Sequence, residues 1–155
     1  MATVRDALAY VLKHYPHNAR HELSNARVTK MLYLADWHQI LNHRRQVTEI
    51  DWYFDNYGPY VNDVRVAAEG NPDIFTVHET RNIFGSPKIL LALHKHDVEP
   101  NLSDQEKASL DHVIEQTKSM SWDSFIKLVY STYPITSSDR YSHLDLAQKA
   151  NEYQH

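Results

Sequence analysis

The chain has 155 residues, 42% of them hydrophobic and 23% charged, with a formal net charge of −4. That is the length of one ordinary domain, able to bury roughly two thirds of the surface its unfolded chain exposes. No run of Lys or Arg exceeds two residues, so a broad basic footprint for nucleic acid is not expected. The absence of cysteine removes disulfides, thiolate zinc sites and Cys nucleophiles together, and fits a reducing cytoplasm.

Thr3 caps a first predicted helix, with Asp6 three residues on and Val4, Ala7, Leu8, Val11, Leu12 and Tyr15 on one face. Pro16 ends it. The polar stretch His17 to Leu23 reads as a loop. Ser24 caps a second helix running to about Asn42, which is apolar on both sides and therefore expected to be largely buried. Nothing near the N-terminus has the apolar core and cleavage site of a signal peptide, and no apolar run approaches the ~20 residues of a membrane span.

Val47 to Asn56 mixes β-branched and aromatic residues and reads as a strand, with Trp52 and Phe54 on its core face. Gly58-Pro59 breaks the chain. A third helix is expected from about Tyr60 to Gly70, where glycine suits a left-handed cap. Ile74 to Thr80 and Lys88 to Leu93 read as a hairpin around Gly85 and Pro87. Ser103 and Glu106 form a capping box for a helix whose core face is Leu110, Val113, Ile114 and Thr117. Ser121 caps another through about Ser131, burying Phe125, Leu128 and Val129. Tyr133-Pro134 stops it, and a last helix from about Leu144 to Tyr153 turns Leu144, Ala147 and Ala150 inward. The plan is α+β: a mostly helical single domain over residues 1–155, around one small, mainly antiparallel sheet.

Catalytic and metal signals are weak. His14, His17 and His21 have helical spacing but Pro16 interrupts them, and His94 and His96 lack a third ligand. No metal or other cofactor is expected. Asp36, Trp37 and His38 are adjacent in sequence and do not share a helix face. Three isolated glycines exclude a glycine-rich phosphate cradle. Aromatic side chains are dense from Trp37 to Tyr60, and Tyr and Trp are favoured at interface hot spots. Trp52, Tyr53, Tyr57 and Tyr60 are therefore the candidate partner-binding residues, with Tyr57 and Tyr60 as the exposed members tested by substitution. A local basic turn, His43 to Arg45, is the best support for a DNA-binding reading.

Two segments carry a family resemblance. NARVTKMLYLADW (25–37) and QVTEIDWYFDNYGPYVNDV (46–64) resemble the Panacea, or SocA-like, antitoxin domain. Its Lys-x-(Leu/Tyr)-Tyr-x-Ala helix corresponds to Lys30, Tyr33 and Ala35. Its Thr-x-x-x-Trp strand corresponds to Thr48 and Trp52, and its Gly-Pro to Gly58 and Pro59. A later Thr-x-Pro element corresponds to Thr132 and Pro134, within SWDSFIKLVYSTYPI, and LDLAQKA fits the closing helix. The resemblance implies a bacterial or phage toxin–antitoxin system, with phage defence among its settings. Its members neutralise a cognate protein toxin encoded nearby, commonly by direct contact, and one acts as an adaptor to a protease. It implies no catalytic residues. The alternatives are a DNA-binding autorepressor or proteolytic adaptor, and, further off, an enzyme with a hidden site.

Overall fold

The buried helix predicted at the centre of the chain is the axis of the structure. A computed structural model describes residues 1–155. Helix α2 spans Asn25–His43, starts where Ser24 Oγ accepts the Arg27 N–H, and is buried nearly all round from Val28 to Trp37. Apolar side chains on every face leave it no solvent side, so the other elements pack about it. Helix α1 (Val4–His14), capped by Thr3, and helix α4 (Asp104–Thr117), opened by the Ser103–Glu106 capping box, lie against it. Helix α3 (Asp63–Glu69) also meets it, as does the C-terminal α7 (Leu146–Gln154). The short helices α5 (Trp122–Tyr130) and α6 (Tyr133–Thr136) are separated by Ser131 and Thr132, with Pro134 in the first turn of α6.

The fold is α+β, with two small antiparallel sheets in place of the single one expected. Strand β1 (Trp52–Asp55) lies between β2 (Gly58–Pro59) and β5 (Ser142–Leu144), with Trp52 opposite Leu144 and Phe54 opposite Ser142 and Pro59. Strands β3 (Phe75–Arg81) and β4 (Pro87–Leu93) form the predicted hairpin, in register from Phe75–Leu93 to Arg81–Pro87. Leu91 N–H donates to Leu23 O, which ties the hairpin to the start of α2.

Several boundaries differ from the sequence reading. The strand expected over 47–56 is confined to Trp52–Asp55, because the groups of Gln46 to Ile50 are used elsewhere, as described below. His17–Glu22 forms a 3-10 turn in place of a loop. Helix α3 begins at Asp63, and Gly70 is right-handed at φ −76°. Its helix end is closed instead by the Asn71 side-chain amide, which donates to Ala67 O at 2.7 Å. The left-handed helix cap occurs at Arg44, φ 61°, after α2. Leu144 belongs to β5, so α7 starts at Leu146. It turns Leu146 and Ala150 inward and leaves Ala147 exposed. Leu128 is half-buried. His94 and His96 fall beyond the end of β4 and are both exposed.

Candidate functional site

Asp36 stands in the middle of α2 with no exposed surface. A bare carboxylate there would cost many kcal/mol of lost hydration, so its oxygens need donors. The segment after the helix supplies them. Thr48 N–H donates to Asp36 Oδ1 at 2.9 Å and Thr48 Oγ1 to Oδ2 at 2.7 Å. Trp52 Nε1 donates to Oδ2 at 2.8 Å and Gln46 Nε2 to the same oxygen at 3.2 Å. Gln46 Nε2 also reaches Thr48 O and Ile50 O, each at 3.0 Å. Burial pushes the Asp36 carboxyl up to about 7, against the pull of these donors. The spacing of Thr48 and Trp52 thereby acquires a cause: four residues apart, the hydroxyl and the indole close on one carboxylate. Asp36 is enclosed and offers no face to a substrate. The sequence reading passed over it. The available signal was an acid amid apolar residues on every side of a helix, since a buried charge requires partners.

Two further motif contacts extend this frame. Thr132 Oγ1 spends its one hydrogen on Val129 O at 2.7 Å, so at 2.8 Å Tyr33 is the donor and Thr132 the acceptor. Burial pushes the Tyr33 hydroxyl well above the usual phenol range. The Tyr33 ring meets Trp52 edge-on, with centroids 5.5 Å apart. Lys30 is 2% exposed, and its ammonium lies 5.8 Å from the centre of the Tyr60 ring. Burial pulls Lys30 down to about 8, partly offset by Asp55. Gly58 has φ +99°, and a Cβ there would sit 3.5 Å from the Tyr130 ring and 3.7 Å from Lys30 Cε. Ala35 and Pro59 are buried, as is Pro134. The motif positions thus join α2 to β1–β2 on one side and to α5–α6 on the other.

Of the four candidate partner-binding residues, Trp52 is a correction. It is 1% exposed, with its indole N–H given to Asp36, and it offers nothing to a partner. Tyr53 is half-buried against His143, with ring centroids 5.3 Å apart. Tyr57 projects from the β1–β2 turn, 76% exposed. Tyr60 is half-buried, and its hydroxyl accepts from Asn25 Nδ2 at 3.0 Å.

Tyr60 also lines a groove of about 640 Å³ between the start of α2, the tip of the β3–β4 hairpin and the start of α5. Ile83 and Phe84 flank it from the tip, 93% and 84% exposed, and Trp122 from α5, 45% exposed. The sequence reading missed this surface. Ile83 and Phe84 sit in a turn, and Trp122 reaches the same groove only through tertiary packing. A smaller cavity of about 390 Å³ lies between Gln46–Trp52 and the start of α7.

Two of the 11 histidines pair with each other. His38 and His112 stack with centroids 4.2 Å apart, and His38 Nδ1 is 3.0 Å from Ser109 Oγ. Ser109 Oγ donates to Gln39 at 2.6 Å, so it accepts from His38. Burial is the first cause lowering the His38 pKa, with His112 and His43 adding to it. No group of three or more His, Asp and Glu side chains is placed to hold a metal ion. No helix is long and apolar enough to cross a membrane.

By fold and site, this is a small α+β domain with a hydrogen-bonded frame around one helix and an aromatic groove beside it. The chain belongs to the antitoxin SocA-like, Panacea domain family, whose model matches residues 28–134. That span holds every motif position from Lys30 to Pro134, while LDLAQKA lies outside it. Membership supports an antitoxin-like role and implies a toxin partner in general. No curated protein and no solved structure matches the chain.

Proposed function

We propose that the protein is the antitoxin of a bacterial or phage toxin–antitoxin pair, acting in the cytoplasm. It neutralises a cognate toxin encoded beside it by direct protein–protein binding. The family match over residues 28–134 carries this reading. The surface chemistry is consistent with it. A toxin contact of ordinary size buries about 1,200–2,000 Å² in total and draws its energy from a few aromatic anchors. Exposed Tyr57 and half-buried Tyr60 flank the Gly58-Pro59 break and are anchors of that kind.

The test is to induce the neighbouring gene in bacteria with and without this protein, and to co-purify the pair from rescued cells. Relief of toxicity together with a stable complex is the expected result. Tyr57→Ala, at an exposed turn position, should weaken rescue while leaving the thermal melt close to that of the parent; Tyr60→Ala should weaken rescue and also lower the melt, because it removes the acceptor of the buried Asn25 amide. A harmless neighbour would remove the antitoxin reading. Rescue without a complex would replace sequestration by repression or by delivery to a protease.

A further inference from the structure

Lys30 is the only lysine of the buried helix α2, and nothing answers its charge. The residue is 2% exposed, and its ammonium makes no hydrogen bond or ion pair. Asp55 acts on it only from a distance and does not offset the burial, which holds the Lys30 pKa at about 8. Five unpartnered side-chain atoms of the protein are sealed from solvent, and Lys30 Nζ is not among them. The stem is thus buried while the ammonium keeps a small accessible face. A face that a water molecule can touch, a carboxylate oxygen of similar size can touch also.

The ammonium lies beside the β1–β2 turn. Lys30 Cε and the Tyr130 ring flank Gly58, at 3.7 and 3.5 Å from where a Cβ would stand. The Tyr60 ring centre is 5.8 Å from Nζ, and Tyr57 projects from the same turn, 76% exposed. The turn is fixed from a distant part of the chain. Tyr141 Oη donates to Asn56 Oδ1 at 3.1 Å and Tyr141 N–H to Phe54 O at 2.6 Å. A recessed cation therefore sits next to a rigid turn that carries an exposed aromatic side chain.

Three N–H donors in such a place call for acceptors, and a neutral acceptor would leave the charge unbalanced. A carboxylate supplies both needs. At hydrogen-bond distance its attraction to Lys30 outweighs repulsion from the more distant Asp55, because both energies fall with separation. An unpaired ammonium also destabilises the isolated domain, so the fold alone gives no reason for it.

We propose that Lys30 is a docking point for a carboxylate of the partner protein, an Asp or Glu side chain that reaches the ammonium beside the β1–β2 turn while Tyr57 packs on the surface next to it. In identifying the partner as the toxin, the inference rests on the antitoxin reading. The chemistry of the ammonium stands without it.

The test uses the full chain with ¹³C-labelled lysine, acetate as the probe, and the ε-carbon signal that disappears in Lys30→Met. That signal should titrate near pH 8, well below the other lysines. Sodium acetate should raise its midpoint by about half a pH unit or more, because binding favours the ammonium. Acetamide, and sodium chloride at the same ionic strength, should leave it in place. A midpoint that acetate moves no further than chloride does, or that already lies with the other lysines, would overturn the proposal. Against the neighbouring gene product, Lys30→Met should lose about tenfold or more in affinity while melting no lower than the parent, a split that a structural lysine would not give. Binding needs the ammonium, so the affinity of the parent should fall about tenfold from pH 7 to pH 9, and that of Lys30→Met should stay flat. Capture and rescue by Lys30→Met equal to the parent would sink the docking point and spare the antitoxin reading. An acetate effect beside a harmless neighbour would do the reverse.

Discussion

Thr48→Val tests the clasp around Asp36. Valine keeps the shape of threonine and removes two bonds of Oγ1, the 2.7 Å bond it donates to the buried carboxylate and the 3.3 Å bond it accepts from Ile50 N–H, leaving the Thr48 backbone N–H bond to Asp36 in place. A hydrogen bond to a charged group is worth about 1.5–3 kcal/mol. For a domain of this size that is a loss of roughly 4–10 °C in melting temperature. The pH dependence is the sharper check. Asp36 has a folded pKa raised from 3.8 to about 7, so its contribution to stability is fully present below pH 3.8 and is lost as pH rises through 7. Removing a donor raises that pKa further, so the variant loses more over the same rise. Its deficit should be larger at pH 8.5, where Asp36 is ionised, than at pH 5.5, where it is protonated and the loss of the Ile50 N–H acceptor remains. Circular-dichroism melts at the two pH values read this directly, and Thr48→Ser should recover most of the loss. A deficit equal at both pH values, or absent at pH 8.5, would refute the assignment of Thr48 as a donor to an ionisable Asp36.

Gly58→Ala should destabilise the fold by about 1–3 kcal/mol in a denaturant titration, because φ +99° is strained for any side chain. Lys30→Met should act in the opposite direction. The Lys30 pKa is depressed from 10.5 to about 8, so the penalty of its charge is complete below pH 8 and fades as pH rises toward 10.5. Methionine should therefore stabilise the protein by about 1–3 kcal/mol at pH 7, with a gain that shrinks by pH 10. Equal gains at pH 7 and pH 10 would show that the lysine carries no such penalty.

Local chemistry made much of the fold readable. Thr3, Ser24, Ser103 and Ser121 were identified as helix caps because a cap is decided within four residues, and each accepts the N–H it should. Alternation along the chain placed Trp52 and Phe54 inside. Long-range pairing was less visible. Ser142–Leu144 becomes a strand only because it meets Trp52–Phe54, from a distant part of the chain. Val47 and Thr48 have strand-like side chains, but Val47 O accepts the Ala2 N–H and Thr48 turns onto Asp36. The groove depends on three segments distant in sequence, and its most exposed residues lie in a turn, where apolar periodicity carries no information.

The three tryptophans occupy three different surroundings, and this makes the protein its own optical probe. Trp52 is sealed in the core with its indole N–H on a carboxylate, and Trp37 is nearly covered, edge-on to Tyr153 of the last helix at 5.8 Å. Trp122 stands 45% exposed on the groove wall. Dissolved iodide should quench Trp122 first and spare the other two. A red shift from Trp52 would then mark global unfolding, one from Trp37 the fraying of the C-terminal helix, and the shielding of Trp122 from iodide the arrival of a partner. Read in variants that each keep one tryptophan, these signals separate three events that a melting curve merges into one.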